Sequence, residues 1–353
     1  MRILAIDVGT GTKDIMFYNT EKEIENSIKL VLPSPHLTIC QKIEKTNSNI
    51  YLNGVIMGGG KIKNQLVKHI EKGYKVAAEK LAGKTIRDNL EQVASYGIEI
   101  VEDKNNKKYE NYTKITLQDV NINKISNIIS QYDLNYNFDA LAIAVQDHGY
   151  NEKMGDRDFR FEKIREKLKK PIKPEEYGFL KEEIPEYYSR MQSVKKSVQL
   201  AIKNKNHEKP LLLMDTKFAS ICGMYYDKST EGLNSYIVMD IGNGHTTVAS
   251  IENGKIQGVY EHHTSRLNGE KIDKLNKRLA DGTITFEEVH DDDGHGAHVI
   301  NPISKIEKVI VSGPKRKLIE DTKLDYHYAS PGGDVMMTGT IGLIKTIKYK
   351  LNQ

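Results

Sequence analysis

Two segments place an aspartate directly ahead of a glycine loop. Asp7-Val8-Gly9-Thr10-Gly11-Thr12 lies near the start of the chain, and Asp240-Ile241-Gly242-Asn243-Gly244-His245-Thr246 recurs far downstream. Glycines permit backbone angles closed to other residues. They also let main-chain N–H groups approach phosphate oxygens with no Cβ in the way. The hydroxyls of Thr10, Thr12, Thr246 and Thr247 add donors. An aspartate at a strand end can hold a hydrated Mg2+, which prefers a few carboxylates with water and phosphate oxygens. Two such loops facing each other would clamp a triphosphate. One copy alone reads equally well as a tight turn with a structural aspartate; two copies, each opening half of the chain, favour the clamp. A triphosphate with Mg2+ is therefore the expected ligand, with Asp7 and Asp240 on the metal. Gly9, Thr10, Gly11, Thr12, Lys13, Gly242, Asn243, Gly244, His245 and Thr246 are the expected nucleotide contacts.

The elements that must aim these loops are legible on either side. Ile3 to Ile6 is a short apolar run that stops at the first loop, and Lys13 to Tyr18 returns as a second strand. Tyr236 to Met239, the second loop and His245 to Ile251 repeat the pattern, and Asn253-Gly254 turns into Ile256 to Tyr260. Between the copies, helix and strand signals alternate. Leu66 to Ile70 is a helix core ending at Gly73, and Val76 to Val93 reads as a longer helix weakened by Gly83. Leu141 to Val145 is a buried strand, and Phe159, Ile164 and Leu168 mark an amphipathic helix. Tyr187 to Ile202 is a helix, Leu211 to Met214 a strand, and Ile272 to Leu279 a helix. Residues 281–298 read as a loop or small insertion. Val309 to Val311 is a strand and Val335 to Tyr349 a closing helix. Strand-then-helix order predicts an α/β protein.

The ordered segments resemble the superfamily of sugar kinases, actin and heat-shock chaperones. The two glycine loops resemble its two phosphate loops, and Asp215 to Gly223 resembles its first connecting segment. Val309-Ile310-Val311-Ser312-Gly313-Pro314 resembles its adenosine segment, and Pro331 to Leu343, with Gly332 and Gly333, resembles its last connecting helix. The resemblance implies two RNase H-like, actin-like ATPase domains around a nucleotide cleft. The expected division is 1–209, 210–333 with a short insertion near 270–304, and a closing helix over 334–353. It adds Ser312, Gly313, Gly332 and Gly333 to the nucleotide contacts. His245 stands where Thr or Ser is usual, and Pro314 removes a backbone donor.

Val145-Gln146-Asp147-His148-Gly149 resembles the Gly-Gln-X-His-Gly segment of FGGY sugar kinases, which reaches the substrate. In those kinases the aspartate of an Asp-X-X-Ala-X-X-X-Gly segment takes the proton from the attacking hydroxyl, and Asp215, Ala219 and Gly223 fit that spacing. The implied activity is a small-molecule kinase with Asp215 as base and Asp147 and His148 on the acceptor side. Asp215 reads equally as a helix N-cap, and His148 as a structural residue. The alternatives at the level of function are an ATPase switch that activates a partner protein and a non-catalytic nucleotide sensor. Through Gln146-Asp147-His148-Gly149, Met57-Gly58-Gly59-Gly60 and Gly294-His295-Gly296-Ala297, the chain as a whole also resembles a mostly archaeal family labelled as related to pyruvate formate-lyase activating enzyme. That label implies radical chemistry at a cysteine-bound iron–sulfur cluster, for which Cys40 and Cys222 supply too few ligands.

Three clusters remain. Gly58-Gly59-Gly60-Lys61 opens a helix and reads as a flexible turn or an anion site, without the spacing of a P-loop. His290-Asp291-Asp292-Asp293-Gly294-His295-Gly296-Ala297-His298 offers imidazoles and carboxylates to a divalent metal, or is a polar surface loop. His262-His263-Thr264 falls near the nucleotide cleft on the chaperone comparison. Bulk properties bound the rest. The 353 residues suffice for two domains. A net charge of +4 and lysine runs (Lys167 to Lys173, Lys203 to Lys209) set among Glu, Asn and Pro do not suggest nucleic acid. Two distant cysteines fit a reducing, cytoplasmic setting. No apolar stretch approaches the roughly 20 residues needed to span a bilayer.

Overall fold

The computed structural model of the protein describes residues 1–102, 107–132, 137–202 and 209–352. The lysine run from 203 lies outside them apart from Lys209. Three antiparallel strands open the chain: β1 (Arg2–Val8), β2 (Thr12–Asn19) and β3 (Ile28–Pro33). Helix α1 (Pro35–Lys45) leads into an inserted sheet of β4 (Ile50–Gly54), β5 (Val76–Glu79), β6 (Ile98–Val101) and β7 (Thr113–Leu117). Helices α2 (Ile62–Glu71), α3 (Lys80–Lys84) and α4 (Leu90–Ser95) connect its strands. Its order is β6-β5-β4-β7, all parallel.

After α5 (Ile122–Ile129) the chain returns to the first sheet. It supplies β8 (Ala140–Val145), α6 (Asp156–Lys167), β9 (Phe179–Leu180), α7 (Ser189–Ile202) and β10 (Leu211–Met214). The order of that sheet is β3-β2-β1-β8-β10-β9, with β8 parallel to β1 and β10 parallel to β8. Helix α8 (Thr216–Tyr225) crosses to the second half. There β11 (Ser235–Ile241), β12 (His245–Glu252) and β13 (Lys255–His263) repeat the antiparallel triplet. After α9 (Gly269–Asp281) and α10 (Phe286–His290), β14 (Gly296–Val299), β15 (Val309–Ser312) and β16 (Tyr326–Tyr328) complete the order β14-β13-β12-β11-β15-β16. Helix α11 (Thr338–Lys350) closes the chain.

Both large sheets share one plan: an antiparallel triplet, then a parallel strand beside the first member of the triplet. That doubled topology is the RNase H-like, actin-like ATPase fold expected from the motif order. Alternation along β1 explains its fit between two layers. Leu4, Ile6 and Val8 face a core closed by α5 and α7, whereas Ile3 and Ala5 face a second core shared with α6, α8, α11 and the second sheet.

Three sequence expectations are corrected. Val76 to Val93 is not one helix: Val76, Ala77 and Ala78 are buried on both faces of a parallel sheet, and the helical turns begin only at Lys80. Residues 281–298 contain α10 and the edge strand β14 as well as loop. Leu211–Met214 hydrogen-bonds into the first sheet, so the second half begins beyond it and not at residue 210.

Helices α8 and α11 cross with their backbones in contact. A Cβ on Gly342 would lie 1.9 Å from the Ala219 carbonyl oxygen, and one on Gly223 would lie 1.9 Å from that of Thr338. Neither clash is relieved by turning a side chain. Gly342→Ala is expected to destabilise the protein by about 3 kcal/mol, the upper end of overpacking costs, read as a lowered urea midpoint; an unchanged midpoint would show that the crossing yields.

Candidate functional site

The two glycine loops face each other across a cavity of about 460 Å³ between the halves. In the first, Gly9 N–H donates to the Thr12 carbonyl (2.9 Å), and Ser34 Oγ donates to the Gly9 carbonyl (2.8 Å). In the second, Gly242 N–H donates to the His245 carbonyl (3.1 Å), the same tight turn. Thr264 Oγ1 braces it by donating to the Gly242 carbonyl (2.8 Å). A Cβ on Gly11 would lie 2.6 Å from Asn243 Nδ2, so the tips of the loops nearly touch. Gly9, Thr10, Gly11, Thr12, Gly242, Asn243, Gly244 and His245 all line the cavity, with Ser312 and Gly313.

Other expected contacts lie elsewhere. Thr246 is fully buried and its hydroxyl bonds that of Thr264 (3.0 Å), because alternation along β12 turns it away from the cleft. Lys13, Gly332 and Gly333 are not among the lining residues. The two glycines turn the chain into α11, with φ of 62° and 79°, and Gly332 accepts Lys29 Nζ at 2.8 Å. Val335, Met336, Thr338 and Gly339 line the cavity in their place.

Carboxylates crowd the cavity where the loops leave their strands. Asp7 and Asp14 face each other across the β1–β2 pair. Thr216 Oγ1 donates to Asp7 Oδ1, and a Cβ on Gly339 would sit 2.0 Å from Asp7 Oδ2. Burial, then the charge of Asp14, pushes the Asp7 carboxyl up to about 8. Burial likewise raises Asp14 to about 7. Asp14 Oδ1 is buried without a hydrogen-bond partner. Asp240 differs: Lys217 Nζ holds its Oδ2 at 2.8 Å and also donates to the His245 carbonyl (2.8 Å). The paired carboxylates Asp7 and Asp14, one with an orphaned oxygen, are a hard oxygen donor set that suits Mg2+.

Asp215 does not stand at the cleft. Its side chain caps α8 by accepting Lys217 N–H (3.0 Å), and Arg160 takes both of its oxygens (2.7 and 3.2 Å). Arg160 also binds Glu261 (2.8 Å), and all three side chains are at most 5 % exposed. The carboxylate is thus held by the start of α8 and by Arg160, and Asp215 is not among the residues lining the cavity. Spacing alone gave no signal of this, since Arg160 lies on α6 and Glu261 on β13. Asp147 does line the cavity, yet its oxygens accept Gly149 N–H (2.9 Å) and Met191 N–H (2.8 Å), fixing the loop after β8 to the start of α7. Burial raises its carboxyl to about 6 in spite of those bonds. His148 lines the cavity beside it.

The inserted sheet with its connections and the start of α7 supply the remaining wall. Met57 to Gly60, Lys84 to Asp88, Asp119 and Arg190 border the cavity. Arg190 holds both oxygens of Asp119 at 2.8 Å, and a Cβ on Gly58 would lie 2.6 Å from its Nη2. The glycine run is thus a close-packed wall and not a loose turn. The His290–His298 cluster disperses: His290 pairs with Asp158 (2.9 Å), and His298 Nε2 bonds the Leu168 carbonyl (3.1 Å). His262 points to the other face and bonds Asp292 (2.9 Å). His295 and His263 instead turn toward His245 and His148.

A family profile described as "Putative pyruvate format-lyase activating enzyme (DUF1786)" matches residues 57–318. The chain belongs to this family. An iron–sulfur cluster does not fit its residues: Cys222 is buried within α8 and Cys40 lies on α1, and no third cysteine exists. No curated protein matches the chain. Among solved structures, the ethanolamine utilization protein EutJ from Carboxydothermus hydrogenoformans is similar at 11% identity, covering 97% of this chain and 89% of that one, with a TM-score of 0.31. MreB5 of Spiroplasma citri, bound to ADP, is similar at 11% identity over 100% and 98%, with a TM-score of 0.34. The Lmo2764 protein of Listeria monocytogenes is similar at 8% identity over 100% of both chains, with a TM-score of 0.37. The fold assignment for this family member rests on the doubled topology. No helix among the described residues is long and apolar enough to cross a membrane.

Arg160 sits between two buried carboxylates and pairs with both. Arg160→Met should cost about 3–5 kcal/mol, as breaking a buried ion pair does. Chemical denaturation checks this, and a loss under about 1 kcal/mol would show that the network is not a structural tie.

Proposed function

We propose that the protein binds a nucleoside triphosphate, ATP by the motif order, with Mg2+ between the two glycine hairpins and transfers its terminal phosphoryl group. The opposition of Gly11 and Asn243 beside the buried carboxylates Asp7, Asp14 and Asp240 carries this reading. Loop N–H groups and the start of α11 at Thr338 and Gly339 would bind phosphate oxygens. Asp7 and Asp14 would hold the cation, whereas Lys217 leaves Asp240 a paired and orienting role. The cation, when bound, neutralises charge on the phosphoryl oxygens. A small acceptor would occupy the wall formed by the inserted sheet, near His148, with Asp147 holding the loop that presents it. Asp215 is not the base in this scheme.

A second reading is favoured by the Arg160 network. It ties Asp215 of the first half to Glu261 of the second, and Thr216 and Lys217, next in sequence to Asp215, line the cleft. Hydrolysis without an acceptor, setting domain closure for a partner protein, would use that linkage.

Calorimetry with ATP and Mg2+ tests the shared premise. One site per chain is expected, and Asp7→Asn should weaken Mg2+-dependent binding tenfold or more, about 1.4 kcal/mol. Absence of nucleotide binding by the unaltered protein would remove both readings. A metabolite-pool assay for ADP then separates them: acceptor-dependent release selects the kinase, and slow acceptor-independent release selects the switch.

A further inference from the structure

Four imidazoles from separate elements converge at one end of the cleft. His245 begins β12 and His263 ends β13, where they are direct cross-strand partners with ring centroids 4.6 Å apart. His295, in the loop entering β14, stands 4.7 Å from His245 and 5.4 Å from His263. The main chain fixes it there, since its N–H donates to the Glu261 carbonyl at 2.8 Å. His148 reaches in from the first half, 5.6 Å from His295 and 6.4 Å from His245. One donor atom from each of His245, His263 and His295 lies within 4.8 Å of the others.

We propose that His245, His263 and His295 bind a divalent transition-metal ion of the Zn2+ type, with an open coordination position toward the cavity and His148 beside it. Bonds of about 2.1 Å place tetrahedral donors about 3.4 Å apart, so side-chain adjustment of an ångström or so completes the site. Three imidazoles with no thiolate suit Zn2+, Fe2+, Co2+ or Ni2+ and do not suit Mg2+, which takes oxygen. The environment has the matching outer partner. His295 is 1% exposed, and its Nδ1 has no hydrogen bond although it lies 3.3 Å from Glu261 Oε1. Metal-bound histidines commonly direct their second ring nitrogen at such a carboxylate. Glu261 is in turn held by Arg160, at 2.8 Å, and Gln146, at 3.3 Å. His148 and His245 line the cavity, so an ion here would face whatever fills the cleft. This site is separate from the carboxylates at Asp7 and Asp14 and does not depend on nucleotide binding.

The test uses the full chain, treated with a chelator and then titrated with Co2+ alone, without nucleotide or Mg2+. One Co2+ per chain should bind and give the visible absorption of a nitrogen-ligated ion of low coordination number, and Zn2+ should displace it. His263→Ala and His295→Ala should each weaken binding at least tenfold, while His290→Ala, outside the cluster, leaves it unchanged. His263 is partly exposed, so its variant keeps the test available if His295→Ala does not fold. Absence of the absorption in the unaltered protein, or its persistence at full affinity in His263→Ala, overturns the proposal. Retained Co2+ binding in a chain that binds no ATP would sustain it while the nucleotide reading fails.

Discussion

The contact between the backbones of α8 and α11 is the constraint on which the rest of the molecule depends. Gly223 and Gly342 remove the side chains that would hold these helices apart. Their approach brings two helix starts into one small volume. The start of α8 carries Asp215, Thr216 and Lys217, and that of α11 carries Thr338 and Gly339. Thr216 reaches Asp7, Lys217 reaches Asp240, and Gly339 leaves just enough room for the Asp7 carboxylate. Each aspartate of the doubled loop is thereby met by a residue of the crossing. A wider crossing would leave both loops intact and the site between them unformed.

Electrostatics divide this interior into two kinds of region. Around Arg160, every charge has a hydrogen-bonded partner: one guanidinium is shared between Asp215 and Glu261, and burial makes the arrangement costly to break by removing any one member. Around Asp7 and Asp14, no guanidinium pairs with the carboxylates, so the rise that burial gives both carboxyls is not offset as it is at Glu261. A protein interior tolerates such an excess of like charge where a ligand or cation is to complete it. The Arg160 network ties the halves together, and the Asp7–Asp14 pair gathers like charge at the cavity.

The motif order was a sound guide to the fold because each loop lies within a hairpin whose strands are adjacent in sequence. Local patterning therefore specified β1–β2 and β11–β12, together with most of the helices. It failed in the inserted sheet. Parallel strands such as Val76–Glu79 are buried on both faces and lack the alternation that separates a strand from a helix. At the site, the loop glycines, Asp7, Asp240, Asn243 and His148 could be picked out from the chain. Thr246 lies one residue past His245 on β12, so alternation along the strand turns it into the core, a direction that depends on where the strand begins. Gly332 and Gly333 looked like ligand contacts but serve as a turn.

The sequence by itself determined the doubled Asp-X-Gly-X-Gly hairpin, the α/β order and the shortage of cysteine for cluster chemistry. These are matters of residue type and short spacing. Tertiary structure alone decided which charges meet. Arg160, Asp215 and Glu261 come from three elements, and His148, His245, His263 and His295 come from four segments on both halves. Spacing along the chain gives no measure of these distances, which are set by sheet register and helix crossing. For that reason Asp215, legible as a base or as a helix N-cap, is the N-cap and is also paired with Arg160, while His245 of the second loop meets three imidazoles that its motif did not announce.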